Sequence, residues 1–152
     1  MKNFINSDDI SDYKKIVEEA IQLKSNPNQL EDIGKNKSIG LLFFNPSLRT
    51  RISTQKASMI LGLKTFVMNF NSEGWQLEFE NNTIMSEDKA EHVKDAAKVL
   101  SEYCDIIAIR KFADLNNKID DEKEIVLSSF LKYSTVPILN LESSTFHPLQ
   151  GL

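Results

Sequence analysis

Two hydroxyl residues and two arginines fall within five positions, Ser47-Leu48-Arg49-Thr50-Arg51, directly after the apolar run Ile39 to Phe44 and the pair Asn45-Pro46. If the run is a strand and the segment opens a helix, the helix's first N–H groups, both hydroxyls and both guanidinium groups gather at one point. A helix N-terminus already carries about half a positive charge, so arginines there are misplaced by about 0.3–1 kcal/mol each. A bound phosphate reverses that sign, and charge-assisted hydrogen bonds of about 1.5–3 kcal/mol each outweigh the penalty. The segment therefore reads as an anion trap suited to phosphate. The plain alternative is that Asn45 or Ser47 only caps the helix while the arginines point into water.

Two further polar groups follow apolar runs in the same way. Arg110-Lys111 comes after Asp105 to Ile109, and Ser143-Ser144-Thr145-Phe146-His147-Pro148-Leu149-Gln150 comes after Val136 to Leu141. Pro148 fixes its own φ and keeps His147 out of the helical region, so the histidine sits on a stiff turn. A His–Gln pair suits a small carbonyl-containing ligand, the imidazole donating to oxygen and the Gln carbonyl accepting from an NH₂ group. Taken singly, His147 is equally a surface-loop histidine. His92 reads as solvated, and Cys104 as a small core residue rather than a nucleophile. Two histidines and one cysteine, widely separated, are too few for a zinc site, so no metal and no cofactor is expected. The nucleotide loops G-x-x-x-x-G-K-[ST] and G-x-G-x-x-G are absent.

These groups must be positioned by alternating strands and helices. Ser7 with Asp8 and Asp9 reads as the start of an amphipathic helix through Ile10, Tyr13, Ile16, Val17, Ala20 and Ile21, ending near Pro27. Ser38 to Phe44 is a buried strand, about Ser47 to Leu61 a helix stopped by Gly62, and Thr65 to Phe70 a second strand. Ser86-Glu87-Asp88 reads as the cap of a helix whose buried face is Val93, Ala96, Ala97 and Leu100. A third strand (Asp105 to Ile109), a helix (Glu122 to Tyr133, its acidic start at Asp120-Asp121-Glu122 facing water) and a fourth strand (Val136 to Leu141) complete the pattern. The prediction is α/β: one domain, residues 1–152, with a doubly wound parallel sheet of about four strands and helices on both faces. In such a sheet ligands lie outside the carboxyl ends of the strands, which is where Ser47, Arg110 and His147 all fall. Asn71 to Met85, about 15 residues with the lone Trp75 after Gly74, is long enough for a functional loop.

Composition fits one soluble globular domain: 152 residues, 41% hydrophobic, 26% charged, net charge −4. Surface scaling from the 17.3 kDa mass predicts about 7,800 Å² exposed when folded. A pI near 5.2 gives no electrostatic reason to expect a nucleic acid or an anionic membrane as partner. No apolar stretch approaches the roughly 20 residues of a membrane helix. The N-terminus lacks a secretion signal and a lone cysteine makes no internal disulfide, so a reducing, cytoplasmic setting is expected.

Together, Ser47-Leu48-Arg49-Thr50-Arg51, Arg110 and His147-Pro148-Leu149-Gln150, with the helix Glu91 to Leu100 between them, resemble the carbamoyl-phosphate domain of the aspartate and ornithine carbamoyltransferase family over nearly the whole chain. The resemblance implies that Ser47, Arg49 and Thr50, with the backbone N–H of Leu48, hold the phosphate. Thr50, Arg110 and His147 would polarise the carbamoyl oxygen, and Gln150 would orient the carbamoyl NH₂. It implies acyl transfer without a covalent enzyme intermediate: an acceptor amine attacks, charge builds on oxygen, and phosphate leaves, with positioning and electrostatics supplying the acceleration. Arg49 would neutralise the departing phosphate, which could itself take the amine proton. Gly74-Trp75 and Leu149 look most like the branch acting on N-acetylornithine or N-succinylornithine in arginine biosynthesis. That branch implies a homotrimer in which Trp75 reaches a neighbouring site, the alternative being a core or packing tryptophan. Ala90, matched to the start of the helix after the long loop, leans the acyl group towards succinyl.

Two departures qualify the match. Leu48 stands where threonine is common, forfeiting a hydroxyl but keeping the backbone donor. The chain also stops at Leu152, where the family continues into a second domain that binds the amino-acid acceptor. The expectation is thus a carbamoyl-phosphate half-site, inactive alone, with the apolar face from Ile10 to Ile21 packing on the missing half. The alternative is a non-catalytic α/β anion-binding or regulatory domain. A receiver-like module would want acidic strand ends, whereas these end in Phe44-Asn45 and Ile109-Arg110.

Overall fold

In chain order the elements are a single 3₁₀ turn (Ser7–Asp9), α1 (Tyr13–Ser25), β1 (Ser38–Phe43), α2 (Arg49–Ile60), β2 (Lys64–Asn69), the short strands β3 (Leu77–Glu78) and β4 (Glu91–His92), α3 (Val93–Tyr103), β5 (Ile106–Arg110), α4 (Lys118–Glu122), α5 (Ile125–Tyr133) and β6 (Ile138–Glu142). This is a computed structural model, and it describes residues 2–70, 76–85 and 89–150. Trp75 and the expected cap Ser86-Glu87-Asp88 lie outside the described residues.

The predicted parallel sheet is present, with strand order β2-β1-β5-β6. β1 and β5 are its two central strands and read as near-continuous apolar runs because both of their faces are covered. Alternate residues of β1 divide between two cores: Leu42, with Phe44 just beyond the strand, joins Ile107, Ile109, Phe130, Val93 and Ala97 under α3 and α5, while Ile39, Leu41 and Phe43 join Ala108 and Leu141 on the opposite face. The order also fixes a switch point. From β1 the chain moves outward to β2 on one side and later to β5 on the other, so a crevice opens beyond the carboxyl ends of β1 and β5.

Four local predictions need correction. Ser7 does not cap α1; it starts the 3₁₀ turn, closed by a capping box of Asn6 and Asp9, and Asp12 caps α1 instead. The reason is Ile10, which is buried and extended, so the chain leaves helical geometry to place it in the core. The helix expected over Glu122 to Tyr133 is broken at Glu124, which adopts a left-handed φ of 49°. His92 is not solvated: its Nδ1 accepts from Lys94 N–H at 3.0 Å to cap α3, and its Nε2 donates to the Glu80 carbonyl at 3.1 Å. Asp121, expected to face water, accepts from the N–H groups of Asp114 and Leu115.

The outer edge of β6 is covered by the N-terminus. Phe4 N–H donates to the Ile138 carbonyl at 2.9 Å and Asn140 N–H to the Phe4 carbonyl at 2.8 Å, while Asn140 Nδ2 donates to the Ile5 carbonyl at 2.9 Å. Such cover removes a template for strand-to-strand association. The total accessible surface, 9897 Å², exceeds the scaling value by about a quarter. α1 contributes to the excess: it buries no residue, and Tyr13, Val17 and Ile21 are exposed. Among the described residues no helix is long and apolar enough to cross a membrane.

Gly62 ends α2 with φ +74°, and a Cβ there would lie 2.6 Å from Asp32 Oδ1 and 3.0 Å from Asp32 Cα. Gly62→Ala is expected to destabilise the fold by about 1–2 kcal/mol through the left-handed backbone alone. A thermal melt should show this as a Tm lower by roughly 2–8 °C.

Candidate functional site

The entry to α2 is uncapped. Leu48 occupies the N-cap position in a right-handed helical conformation with no side-chain cap bond. Asn45, one of the two residues that could have capped it, instead accepts from Phe112 N–H at 2.7 Å through Oδ1. The first intrahelical bond runs from Ile52 N–H to the Leu48 carbonyl. The N–H groups of residues 49–51 therefore have no partner among the described residues, and they open beside a cleft of about 680 Å³ whose lining includes Asn45, Ser47, Leu48, Arg51 and Asn69. The capping alternative is removed, and the donors an anion would use are present.

The two arginines of this segment differ. Arg51 is half-buried; its Nη1 donates to Asn69 Oδ1 at 3.1 Å and its guanidinium lies 6.0 Å from the Phe43 ring centroid, so it forms part of the cleft wall. Arg49 is exposed and has no hydrogen-bond or ion-pair partner among the described residues. Thr50 is half-buried one residue on, and its carbonyl receives the hydroxyls of Ser53 and Thr54.

Across the switch point stands a group that the sequence reading only half identified. Arg110 Nε donates to Glu142 Oε2 at 2.8 Å, its Nη2 lies 2.6 Å from the same oxygen in an ion pair, and its Nη1 donates to the Pro46 carbonyl at 3.1 Å. His147 Nε2 lies 3.9 Å from the same Glu142 oxygen. Its Nδ1 is buried without a hydrogen-bond partner among the described residues. One carboxylate thus links the arginine that ends β5 to the histidine beyond β6, and the arginine reaches the loop that opens α2. Glu142 was missed because its partner is set by register: Arg110 and Glu142 pair across adjacent strands beside a bulge. A compositional signal was available as well, since all three of the chain's arginines, 49, 51 and 110, fall at this one sheet edge. Arginine suits phosphate and carboxylate recognition at a fixed geometry better than lysine does.

Gln150 N–H donates to the His147 carbonyl at 3.0 Å, closing a turn, and the Gln150 side chain is exposed. Ala90 is exposed and does not stand at a helix start; it lies just before β4, with its N–H donating to the Gln76 carbonyl at 3.1 Å. That segment is clamped by buried Glu78, whose Oε1 accepts from Phe79 and Glu80 N–H at 2.8 and 2.9 Å and whose Oε2 accepts from Lys89 Nζ at 2.7 Å. The Lys89 bond, helped by the Glu80 N–H, lowers the Glu78 carboxyl to about 2. The folded carboxyl is thus the stronger acid. Its contribution to stability is present above the ordinary 4.5, fades as pH falls and is lost through about 2. Lys89→Met is expected to flatten this acid limb, read as Tm against pH from 2 to 6. Cys104 is buried, and burial followed by the neighbouring Asp105 charge pushes its thiol up, which fits a packing role.

The sequence and the fold match known proteins along nearly the whole chain. Residues 2–152 match the family model described as aspartate/ornithine carbamoyltransferase, carbamoyl-P binding domain. The chain is 41% identical over 151 residues to an N-succinylornithine carbamoyltransferase of Bacteroides fragilis (strain 638R), covering 99% of this chain and 48% of that protein. It is 38% identical over 154 residues to an N-acetylornithine carbamoyltransferase of Xylella fastidiosa (strain Temecula1), covering all of this chain and 45% of that protein. A crystal structure of acetylornithine transcarbamylase complexed with acetylcitrulline superposes with TM-score 0.89 at 38% identity, covering 99% of this chain and 45% of that one. The chain spans about half the length of the relatives it matches.

Proposed function

Because the chain belongs to the aspartate/ornithine carbamoyltransferase family, matching its carbamoyl-phosphate-binding domain, we propose that it supplies the carbamoyl-phosphate half-site for carbamoyl transfer to the side-chain amine of an N-acylated ornithine in arginine biosynthesis. The observation that carries this reading is the uncapped α2 N-terminus at the switch point, joined through Pro46 and Arg110 to Glu142 and His147. Phosphate is held by the N–H groups opening α2, including that of Leu48, by the Ser47 and Thr50 hydroxyls, and by Arg49. Leu48 is 73% exposed, so its part is that of a backbone donor. Arg110 keeps Nε and Nη2 on Glu142 and turns Nη1 from the Pro46 carbonyl to the carbamoyl oxygen, where Thr50 and His147 join it. Gln150 accepts from the carbamoyl NH₂. As the amine attacks the carbamoyl carbon, charge on oxygen meets donors already in place, and the carbon–oxygen bond to phosphate breaks, the phosphate departing against Arg49 and taking the amine proton. No protein nucleophile is required.

The acceptor is held mainly by polypeptide beyond these residues, in keeping with the half-length match to the relatives, and the half-site alone is inactive. The working unit is a cytoplasmic homotrimer in which Trp75 completes a neighbouring site. The small neutral Ala90 leaves room for a succinyl chain, as the name of the 41% identical relative suggests. Isothermal calorimetry tests the core of this reading. Carbamoyl phosphate is expected to bind, and Thr50→Val, which keeps shape and removes one hydroxyl, is expected to weaken it about tenfold. Absence of heat at millimolar carbamoyl phosphate would remove the assignment.

A further inference from the structure

We propose that Glu124 is a positioning residue for this site: from the left-handed turn between α4 and α5, its carboxylate gathers Ser143, Ser144 and Thr145 and so sets where His147 and Gln150 leave β6. The inference rests on the carbamoyl-phosphate reading only for its functional consequence; the geometry stands by itself. Glu124 Oε1 accepts from Ser143 Oγ at 2.6 Å, Thr145 N–H at 2.8 Å and Thr145 Oγ1 at 2.6 Å. Its Oε2 accepts from Ser144 N–H at 3.3 Å. Four donors from three consecutive residues thus converge on one carboxylate some 20 positions away in the chain.

The turn these donors belong to leads directly into His147. Ser143 is buried, its N–H donates to the Phe146 carbonyl at 2.8 Å, and its Oγ accepts from Phe146 N–H at 3.2 Å and from Asn140 Nδ2 at 3.3 Å. The carboxylate therefore organises the loop from the inside, and Phe146, the residue before His147, is fixed at both its N–H and its carbonyl. The half-buried imidazole has no hydrogen bond of its own that could place it, with Nδ1 unpartnered among the described residues and Nε2 3.9 Å from Glu142. Its position depends on the backbone that carries it.

Glu124 keeps a φ of 49° and ψ of 43°, a conformation that favours glycine or asparagine, and it makes no side-chain cap bond to α5. A residue kept for helix stability alone would not combine that backbone with that side chain. Strain of this kind persists where surrounding contacts over-determine it, and here those contacts point to the site loop.

Glu124→Gly separates the two roles, since it relieves the backbone and deletes the carboxylate in one step. Ring ¹H–¹³C spectra suit the test because the chain has only two histidines, with His92 as internal control. In Glu124→Gly the His147 ring signals are expected to move or broaden, the His92 signals to stay, and carbamoyl phosphate to bind at least tenfold more weakly. Thr145→Val, which removes one donor, is expected to weaken binding about threefold in the parent and not further in Glu124→Gly. Unmoved His147 signals with affinity within twofold of the parent would overturn the proposal, as would a full Thr145→Val effect in both backgrounds. Should Glu124→Gly fail to fold, the shift of His147 signals in Thr145→Val decides in its place. If the parent itself binds no carbamoyl phosphate, the functional reading fails while the histidine spectra still judge the positioning role.

Discussion

Arg49→Ala is expected to weaken carbamoyl phosphate binding by a hundredfold or more while leaving the unliganded domain as stable as before or slightly more so. Arg49 opens α2, is exposed, and has no partner among the described residues. Losing two charge-assisted hydrogen bonds at about 1.5 kcal/mol each gives about 3 kcal/mol, or roughly 150-fold in affinity. Removing a cation from a helix N-terminus meanwhile gains about 0.3–1 kcal/mol. The opposite signs are the diagnostic: a residue that matters for folding would lower both quantities. Calorimetry and melts with and without carbamoyl phosphate read both, and equal binding in parent and variant would remove Arg49 from the site. Arg51→Ala should behave the other way, since its contacts with Asn69 and Phe43 belong to the cleft wall.

This contrast also shows which parts of the molecule could be read from the chain. The uncapped start of α2 was legible as a candidate site because it is local: strand, hydroxyls, arginines and helix start are consecutive, and the α/β alternation placed them at the carboxyl edge of the sheet. Arg51 looked equivalent to Arg49 because its partner Asn69 lies at the end of β2, and only the β1·β2 register brings it near. Glu142 was unreadable for the same reason, being paired with Arg110 across a strand order that alternation alone does not determine. Glu124 broke a helix whose apolar periodicity is continuous, and the force that breaks it comes from donors at residues 143–145. The N-terminal cover of β6 joins residues 135 apart. What eluded the sequence was long-range pairing of polar groups, whereas apolar periodicity and helix-start chemistry are short-range.

The second large effect follows from that long-range pairing. Arg110 and Glu142 have side chains only 13% and 15% exposed, and they are joined by an Nε hydrogen bond and a 2.6 Å ion pair to one carboxylate oxygen. Arg110→Met leaves the Glu142 charge buried without its partner, a loss of about 3–5 kcal/mol. Against a total stability of about 5–15 kcal/mol this is severe, and Tm should fall by roughly 6–20 °C. Binding of carbamoyl phosphate should fall with it, so the single variant cannot say whether Arg110 acts on the ligand or only on the fold. The double variant Arg110→Met/Glu142→Leu separates the two. Replacing a buried pair by apolar groups of similar volume is often neutral or stabilising, so most of the lost Tm should return, whereas a donor to the carbamoyl oxygen is still missing and affinity should not recover. Recovery of both would make the pair a packing device. Recovery of stability alone places Arg110 on the ligand and leaves Glu142 the task of holding it there.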